Sequence, residues 1–326
     1  MRPALSVVAF TVLSGAGLGA LALVALLDLA RVAGFAHVDA ALLGRVAVVA
    51  LGFTVAGLLS STLHLGRPAN AWRSLARWRT SWLSREAFAA LALLPVAAAF
   101  AATLLVDAWP AARVPLAMAT IALAWGTLYC TSMIYASLKP IRAWHTRHVP
   151  VAYLVLGHAA GAVLATAVLR AYGAAPGALV VVALLLLVAA AFVKLDYYAY
   201  LASDARRLTL EQAIGVPSGV APALRRPAAP GSVMRARLLD AGHSRGTFLT
   251  HEFGYALPGD SRTALRALFW IAGLVLPALW LALGLHEAGG GTAAFFICLA
   301  GLGAERWLFF AEARHVVRLF HGDATA

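Results

Sequence analysis

The sequence predicts an all-α, polytopic membrane protein: eight transmembrane helices in a bundle. Three observations predict this. Hydrophobic residues make up 62% of the 326-residue chain and charged residues only 12%, a balance that excludes an ordinary soluble globular domain. The apolar residues gather into eight runs, each close to the roughly 20 residues needed to cross a bilayer. The charge follows the same topology, with most arginines of the short connecting segments on one face. The runs cover about residues 4–30, 40–63, 86–107, 115–138, 150–172, 177–200, 263–285 and 292–313.

The first run is far longer than the roughly 7–15 residues of a signal-peptide core, so it is read as a span. Its Gly15, Gly17 and Gly19 suit close helix packing, and Asp28 and Arg31 are expected at the membrane interface. The second run carries no charge before His64. The third contains Pro95, where a kink is expected. The fourth ends in a polar stretch with Thr131 and Tyr135 on one helical face, followed by Trp144, His145, Arg147 and His148; an aromatic belt with snorkelling cations accounts for most of this stretch. The fifth holds His158, the histidine deepest in an apolar run. The sixth ends Lys194-Leu-Asp196-Tyr-Tyr-Ala-Tyr200; Lys194 and Asp196 are two apart and share no helix face, so Lys194 is expected to snorkel to the surface, a partner from another helix being the alternative. The eighth carries Glu305 and Arg306, adjacent residues that diverge by about 100° on a helix.

Between the sixth and seventh runs lies a polar insertion. The chain therefore divides into residues 1–200, the insertion 201–262, and 263–326. Prolines at 217, 222, 227 and 230 make the middle of the insertion an irregular linker. Val233–Asp240 reads as a short strand or turn and Phe248–Tyr255 as an ordered patch. With no sizeable core of its own, the insertion is expected to order against a partner surface. His243, His251 and Glu252 match no standard metal-site spacing.

The net charge of +12 is no nucleic-acid signal, because it follows the topology. Even spans end on the face that carries residues 64–85, here called side A. The short segments of that face hold Arg2, Arg67, Arg73, Arg77, Arg79, Arg85, Lys139, Arg142, Arg147, Arg314 and Arg318, against Arg31, Arg45, Arg113 and Arg170 on the other. The positive-inside rule places side A and both termini in the cytoplasm. A basic docking surface for an acidic partner, on either face, stands beside that explanation. Cys130 and Cys298 are single and far apart, too few for an iron–sulfur cluster on this chain. A b-type haem needs facing histidines at matching depth, and His158 has only His64 to pair with, so no haem is expected.

Residues 60–86 carry the densest chemistry. The apolar run ends at His64, and Gly66 with Pro68 stops the helix. From Asn70 to Trp78 the spacing predicts a short amphipathic helix at the membrane surface, aromatic side down and basic side out. Ser84 is expected to cap the next helix, with Glu86 in its first turn. His64 and Glu86 then stand at adjacent helix ends, at the mouth of a membrane pocket.

The run His64-Leu-Gly-Arg-Pro68, with Ala71, Ser74-Leu75, Arg77 and Leu83-Ser84-x-Glu86, resembles the signature of the membrane-anchor subunits of dimethyl sulfoxide reductase-type molybdoenzymes, which are related to polysulfide reductase-type anchors. The order of spans fits that family along nearly the whole chain apart from the insertion, which shorter members lack. The polar end of the fourth span and Glu305-Arg306 in the last resemble the family's corresponding segments. The resemblance implies a multi-pass subunit of the cytoplasmic (inner) membrane, of the kind used in anaerobic respiration. It implies an iron–sulfur, ferredoxin-like partner docking on residues 64–85 and the 201–262 insertion, with a molybdopterin catalytic subunit beyond. Its redox ligand would be a quinone or quinol, menaquinone or ubiquinone.

The residues point the same way. Ionisable groups inside membranes are costly and functional by default. His64, Glu86, His158, Glu305 and Arg306 all fall in the half nearest side A. A quinol needs an apolar cleft for its tail, hydrogen-bond partners for its ring and bases for two protons. His64 and Glu86 are the candidate bases, and Tyr135, His158, Glu305 and Arg306 the further ring contacts. A secondary transporter and a purely structural anchor are the alternatives. The spans lack the broken helices in matching halves that a transporter would show.

Overall fold

A computed structural model describes residues 3–63, 68–106, 109–174, 177–203, 208–215, 253–284, 290–321 and 323. Eight of its helices are long and apolar enough to cross a membrane. Six are continuous: α1 (Leu5–Val32), α2 (Ala40–Thr62), α3 (Trp82–Leu105), α4 (Pro110–Ala136), α5 (His148–Ala171) and α6 (Gly177–Ala202). After a short α7 (Leu210–Ile214), the seventh span is built from α8 (Gly259–Leu268), a π-helical stretch (Phe269–Val275) and α9 (Leu276–Ala282). The eighth is α10 (Gly290–Ala311). Two 3₁₀ segments, Pro68–Arg77 and Val316–His321, lie outside the spans, and no strand is present among the described residues.

The spans match the apolar runs to within a few residues, and the differences have local causes. α3 begins at Trp82 because Ser81, not Ser84, is its N-cap, accepting from the Ser84 N–H. Glu86 therefore sits in the second turn, beyond the reach of the helix dipole, which acts chiefly within the first. Ser84 instead donates its hydroxyl to the Ser74 carbonyl and ties the 68–77 turn to α3. That turn is a 3₁₀ helix rather than the expected α-helix, with Trp72 and Trp78 exposed. The π stretch lies just before Pro277, which has no N–H to give the Gly273 carbonyl in an α pattern; Cys298 Sγ lies 3.5 Å from that oxygen.

α1 is the centre of the bundle. It packs on α2, α4, α5 and α10, while α3 closes against α2 and α4, and α6 against α5 and the seventh span. Small residues allow the approach. A Cβ on Gly17 would collide with Thr54 and the Ala50 carbonyl of α2, one on Gly19 with the Gly157 carbonyl of α5, and one on Gly161 with the backbone of Gly19 and Ala20. Ser60 adds a hydroxyl bond to the Ser6 carbonyl at 2.8 Å. Thr11, Ser14, Thr54 and Thr127 turn their hydroxyls back to carbonyls in the preceding turn, so none of these four donors faces hydrocarbon unmet. Val48, Leu91, Met118, Leu185, Ile271 and Phe296 point outward, as lipid-facing side chains should.

Near the far end of α1, Asp28 faces into the protein. It is fully buried and takes Arg31 as its partner at 2.7 Å. The other far-side arginines are also held by the chain itself: Arg45 over Tyr172, Arg113 at the Thr103 carbonyl, Arg170 over Trp280.

On side A, the loop between α4 and α5 folds inward rather than lying in an aromatic belt. Ile141, Ala143 and Trp144 are buried, and Tyr197 and Tyr200 of α6 donate to the Ala143 and Arg142 carbonyls. The C-terminal segment joins it through Val316 N–H to the Pro140 carbonyl. Both described ends of the insertion converge there. Leu208 and Leu210 pack with Val316, Leu319 and Phe320, while Phe253 packs on Trp144 and His315. Val233–Asp240, residues 248–252 of the expected ordered patch, and the His243, His251 and Glu252 group lie outside the described residues.

Because α1 meets α5 backbone to backbone, Gly161→Leu should cost about 1–3 kcal/mol or more through overpacking. Gly52→Leu, on an open outward position, should stay within about 0.5 kcal/mol. Thermal unfolding of the two variants in detergent separates them.

Candidate functional site

At the side A end of the bundle, α1, α2, α3 and α4 part around a cavity of about 620 Å³, within the range of small-molecule sites. Asn70, Ala71 and Ser74 of the 68–77 turn line it as well, with Trp144 and Phe310. Its wall is mostly apolar, and Glu86 of α3 and Tyr135 of α4 both line it.

Glu86 is 4% exposed, and no ion pair to it is present among the described residues. Its one side-chain partner among them is Thr131, one turn before Tyr135. Thr131 Oγ1 meets Glu86 Oε1 and lies 2.9 Å from the Thr127 carbonyl. A threonine hydroxyl has one hydrogen to give. It serves the carboxylate when Glu86 is ionised, and turns to Thr127 when Glu86 carries a proton and donates. The pair can therefore take up or release a proton by rotating one hydroxyl. Tyr135 is held by aromatic contact, stacked on Tyr153 with centroids 5.9 Å apart and edge-on to Trp144, Phe309 and Phe310.

Glu305 and Arg306 do not line this cavity. They lie behind the Tyr135–Tyr153 stack in a buried cluster that also takes in Lys194. Glu305 Oε1 pairs with Lys194 and Oε2 with Arg306. The Arg306 guanidinium lies over the Tyr153 ring, 4.4 Å from its centroid, and the Lys194 ammonium is 4.4 Å from the Tyr197 ring. The expectation that Lys194 snorkels is thus overturned. It is 2% exposed, because α6 turns it toward a carboxylate on α10.

His158 stands apart as well. Trp125 Nε1 donates to its Nε2 at 2.9 Å. An indole N–H only donates, so Nε2 carries the lone pair and Nδ1 gives its hydrogen to the Leu154 carbonyl at 2.7 Å. Both ring nitrogens are engaged within the bundle. His64 lies outside the described residues; Thr62, two positions before it, lines the cavity. Of the six sequence candidates, then, Glu86 and Tyr135 share the cavity, Glu305 and Arg306 form a second group, and His158 is separate. Thr131, Trp144, Tyr153 and Lys194 complete the site. Only Thr131 carried a signal in the sequence, its shared helical face with Tyr135.

On side A, Arg73, Arg79 and Arg85 each lie over a neighbouring tryptophan, Trp72, Trp78 and Trp82. The face around the cavity thus presents stacked guanidinium–indole pairs.

A family model described as DMSO reductase anchor subunit (DmsC) matches residues 1–223. The chain is 35% identical to a subunit of the sulfite dehydrogenase of Allochromatium vinosum, over 98% of this chain and 99% of that protein, so the alignment runs through the 201–262 segment too. No solved structure matches.

The buried cluster makes a stability test. Glu305→Gln leaves two cations facing each other in a low-dielectric interior, a loss of about 3–5 kcal/mol. Lys194→Met leaves Glu305 and Arg306 as a neutral pair and should cost clearly less. Thermal unfolding of the two variants checks the order.

Proposed function

Because the chain belongs to the DMSO reductase anchor subunit family, and is thus a membrane anchor subunit of a molybdoenzyme complex, we propose that its Glu86 cavity binds a quinone or quinol and exchanges electrons with an iron–sulfur subunit docked on side A. One observation carries the reading: a mostly apolar cavity of about 620 Å³ at one end of the bundle, with a buried carboxylate and a tyrosine in its wall. The apolar wall suits an isoprenoid-bearing ring, and the two polar groups suit its two oxygens.

The bound group supplies a two-electron, two-proton couple. Glu86 holds a proton at its carboxylate, and Thr131 steadies whichever form is present. Tyr135 donates or accepts at the ring, fixed in place by its aromatic neighbours. His64, close in sequence to the cavity-lining Thr62, is the second base. The 68–77 turn contributes Asn70, Ala71 and Ser74 to the wall. Electrons leave or arrive through the clusters of the partner, which the exposed Arg–Trp face of side A and the converging ends of the insertion are suited to receive. The relative is by name part of a sulfite dehydrogenase. Electrons taken from sulfite would run toward the quinone, with Glu86 giving its proton rather than taking one; the same residues serve either direction. The molybdopterin subunit lies beyond the iron–sulfur partner, in the inner membrane setting with side A cytoplasmic.

Two outcomes test this. Glu86→Gln and His64→Ala should each lower quinone-linked electron transfer at least 10-fold while the complex still assembles, general acid–base groups being worth about 10²–10⁴ in rate. Normal turnover in either assembled variant ends that residue's role. Single surface charges contribute little, so the docking face needs a double change. Arg73→Glu with Arg77→Glu should release the soluble subunits during co-purification while the anchor stays folded.

A further inference from the structure

A second, smaller space lies behind the Tyr135 wall. It is a cleft of about 30 Å³ between α1, α4, α5 and α10, bounded by Thr11, Gly15, Leu128, Gly157, Tyr153 and Arg306 among others. Two of these residues bring hydrogen-bonding atoms without a direct partner: Tyr153 Oη and Arg306 Nη1 are both buried and unpartnered. Their residues are 5% exposed each. The guanidinium lies over the Tyr153 ring and acts on its hydroxyl electrostatically, but neither atom has a partner at hydrogen-bond distance and angle. Buried polar atoms of this kind nearly always find a partner. A water needs about 10–15 Å³ of such space and at least two polar neighbours. The cleft offers both, for one or two molecules.

Gly15 adds an independent argument. Gly17, Gly19 and Gly161 are required by helix contact, since a Cβ at each would strike a neighbouring backbone. A Cβ on Gly15 would meet only the Gly157 Cα, at 3.9 Å, an ordinary contact. Helix packing therefore admits alanine at 15. The effect of glycine there is to keep the cleft open.

We propose that this cleft is a water site, in which ordered water bridges Arg306 Nη1 and Tyr153 Oη and so couples the buried Lys194–Glu305–Arg306 cluster to the Tyr135 wall of the quinone cavity. The coupling rests on the quinone reading above. Arg306 only donates, so the water accepts from it and turns its own hydrogens toward Tyr153 Oη. Tyr153 then accepts at its oxygen and is left to donate on the side of its stacking partner, Tyr135. Hydrogen bonds in such a chain polarise one another. The cluster thereby favours a donated hydrogen bond at the ring oxygen nearest Tyr135, without touching the ring. Arg306 and Tyr153 are positioning residues in this scheme.

The test is Gly15→Ala in the assembled complex. It places one methyl in the cleft, removes no polar group, and replaces glycine by a better helix former. High-resolution electron density of the wild-type complex should show water between Arg306 Nη1 and Tyr153 Oη, and the variant should lose it. Infrared difference spectra with added menaquinone, and ubiquinone in a parallel sample, should show a ring carbonyl band that moves to higher frequency in Gly15→Ala. The midpoint potential of the bound quinone should fall with it. A dry cleft in the wild type, or a carbonyl band that stays in place with alanine at 15, overturns the proposal. A wild-type complex that gives no bound-quinone band at all overturns this proposal together with the reading it rests on.

Discussion

With lipid around it, the bundle cannot draw its cohesion from driving water out between its helices, since lipid tails are as apolar as leucine. What remains is van der Waals contact at the points of closest approach. Most of those points lie on α1, where Gly17 meets α2 and Gly19 with Gly161 brings α5 to backbone distance; Gly301 of α10 makes another against Gly273 of the seventh span. The position of α1 decides the rest. It sets the inner wall of the cavity through Val7 and Phe10, and one wall of the Arg306 cleft through Thr11 and Gly15. Small residues on one helix thus fix the spacing of polar groups on four others.

The polar groups follow from the same surroundings. An uncompensated charge is costly at membrane depth, and the structure answers in two ways. Lys194, Glu305 and Arg306 compensate one another, each charge facing its opposite. Glu86 has a single hydroxyl partner in Thr131 and an open cavity before it. A closed cluster holds its charges fixed, while a lone carboxylate is free to exchange a proton. Buried ion pairs are weak contributors to stability compared with well-packed apolar side chains, so a cluster placed directly behind the cavity's aromatic wall is better understood through its electrostatic effect on that wall.

Most of the architecture was legible in the sequence. Eight apolar runs announce eight spans because membrane thickness sets a length that chance rarely meets, and the family resemblance in residues 64–86 agrees with the family model. Glu86 and Tyr135 were legible as candidates because polar groups at the ends of apolar runs stand out, and both line one cavity. The misses share one cause. Lys194 was expected at the surface because its partner, Glu305, is 111 positions away on another helix. Trp144 looked like a belt residue because its partner is the Phe309 carbonyl, 165 positions on. His158 was expected beside the cavity because its depth shows in the sequence while the Trp125 indole that holds it elsewhere does not. Ser81 and Ser84 differ by three positions and are equally good caps; the contact of Ser84 with the Ser74 carbonyl tells them apart. Hydropathy reports depth, and only the fold reports neighbours.

The convergence of the insertion's two ends on residues 315–320 has a consequence for how this face can change. Leu208 and Leu210 enter, and Phe253 leaves, against the same short stretch of the C-terminal tail. Whatever lies between them departs from and returns to one place, so its length is decoupled from the helices beneath. Closing a loop of twice the length costs only about 0.6 kcal/mol more. Descendants of this chain can therefore lengthen, shorten or replace the segment to suit a different soluble companion, leaving the bundle and its cavity as they are. The membrane part and the recognition part are free to diverge at separate rates.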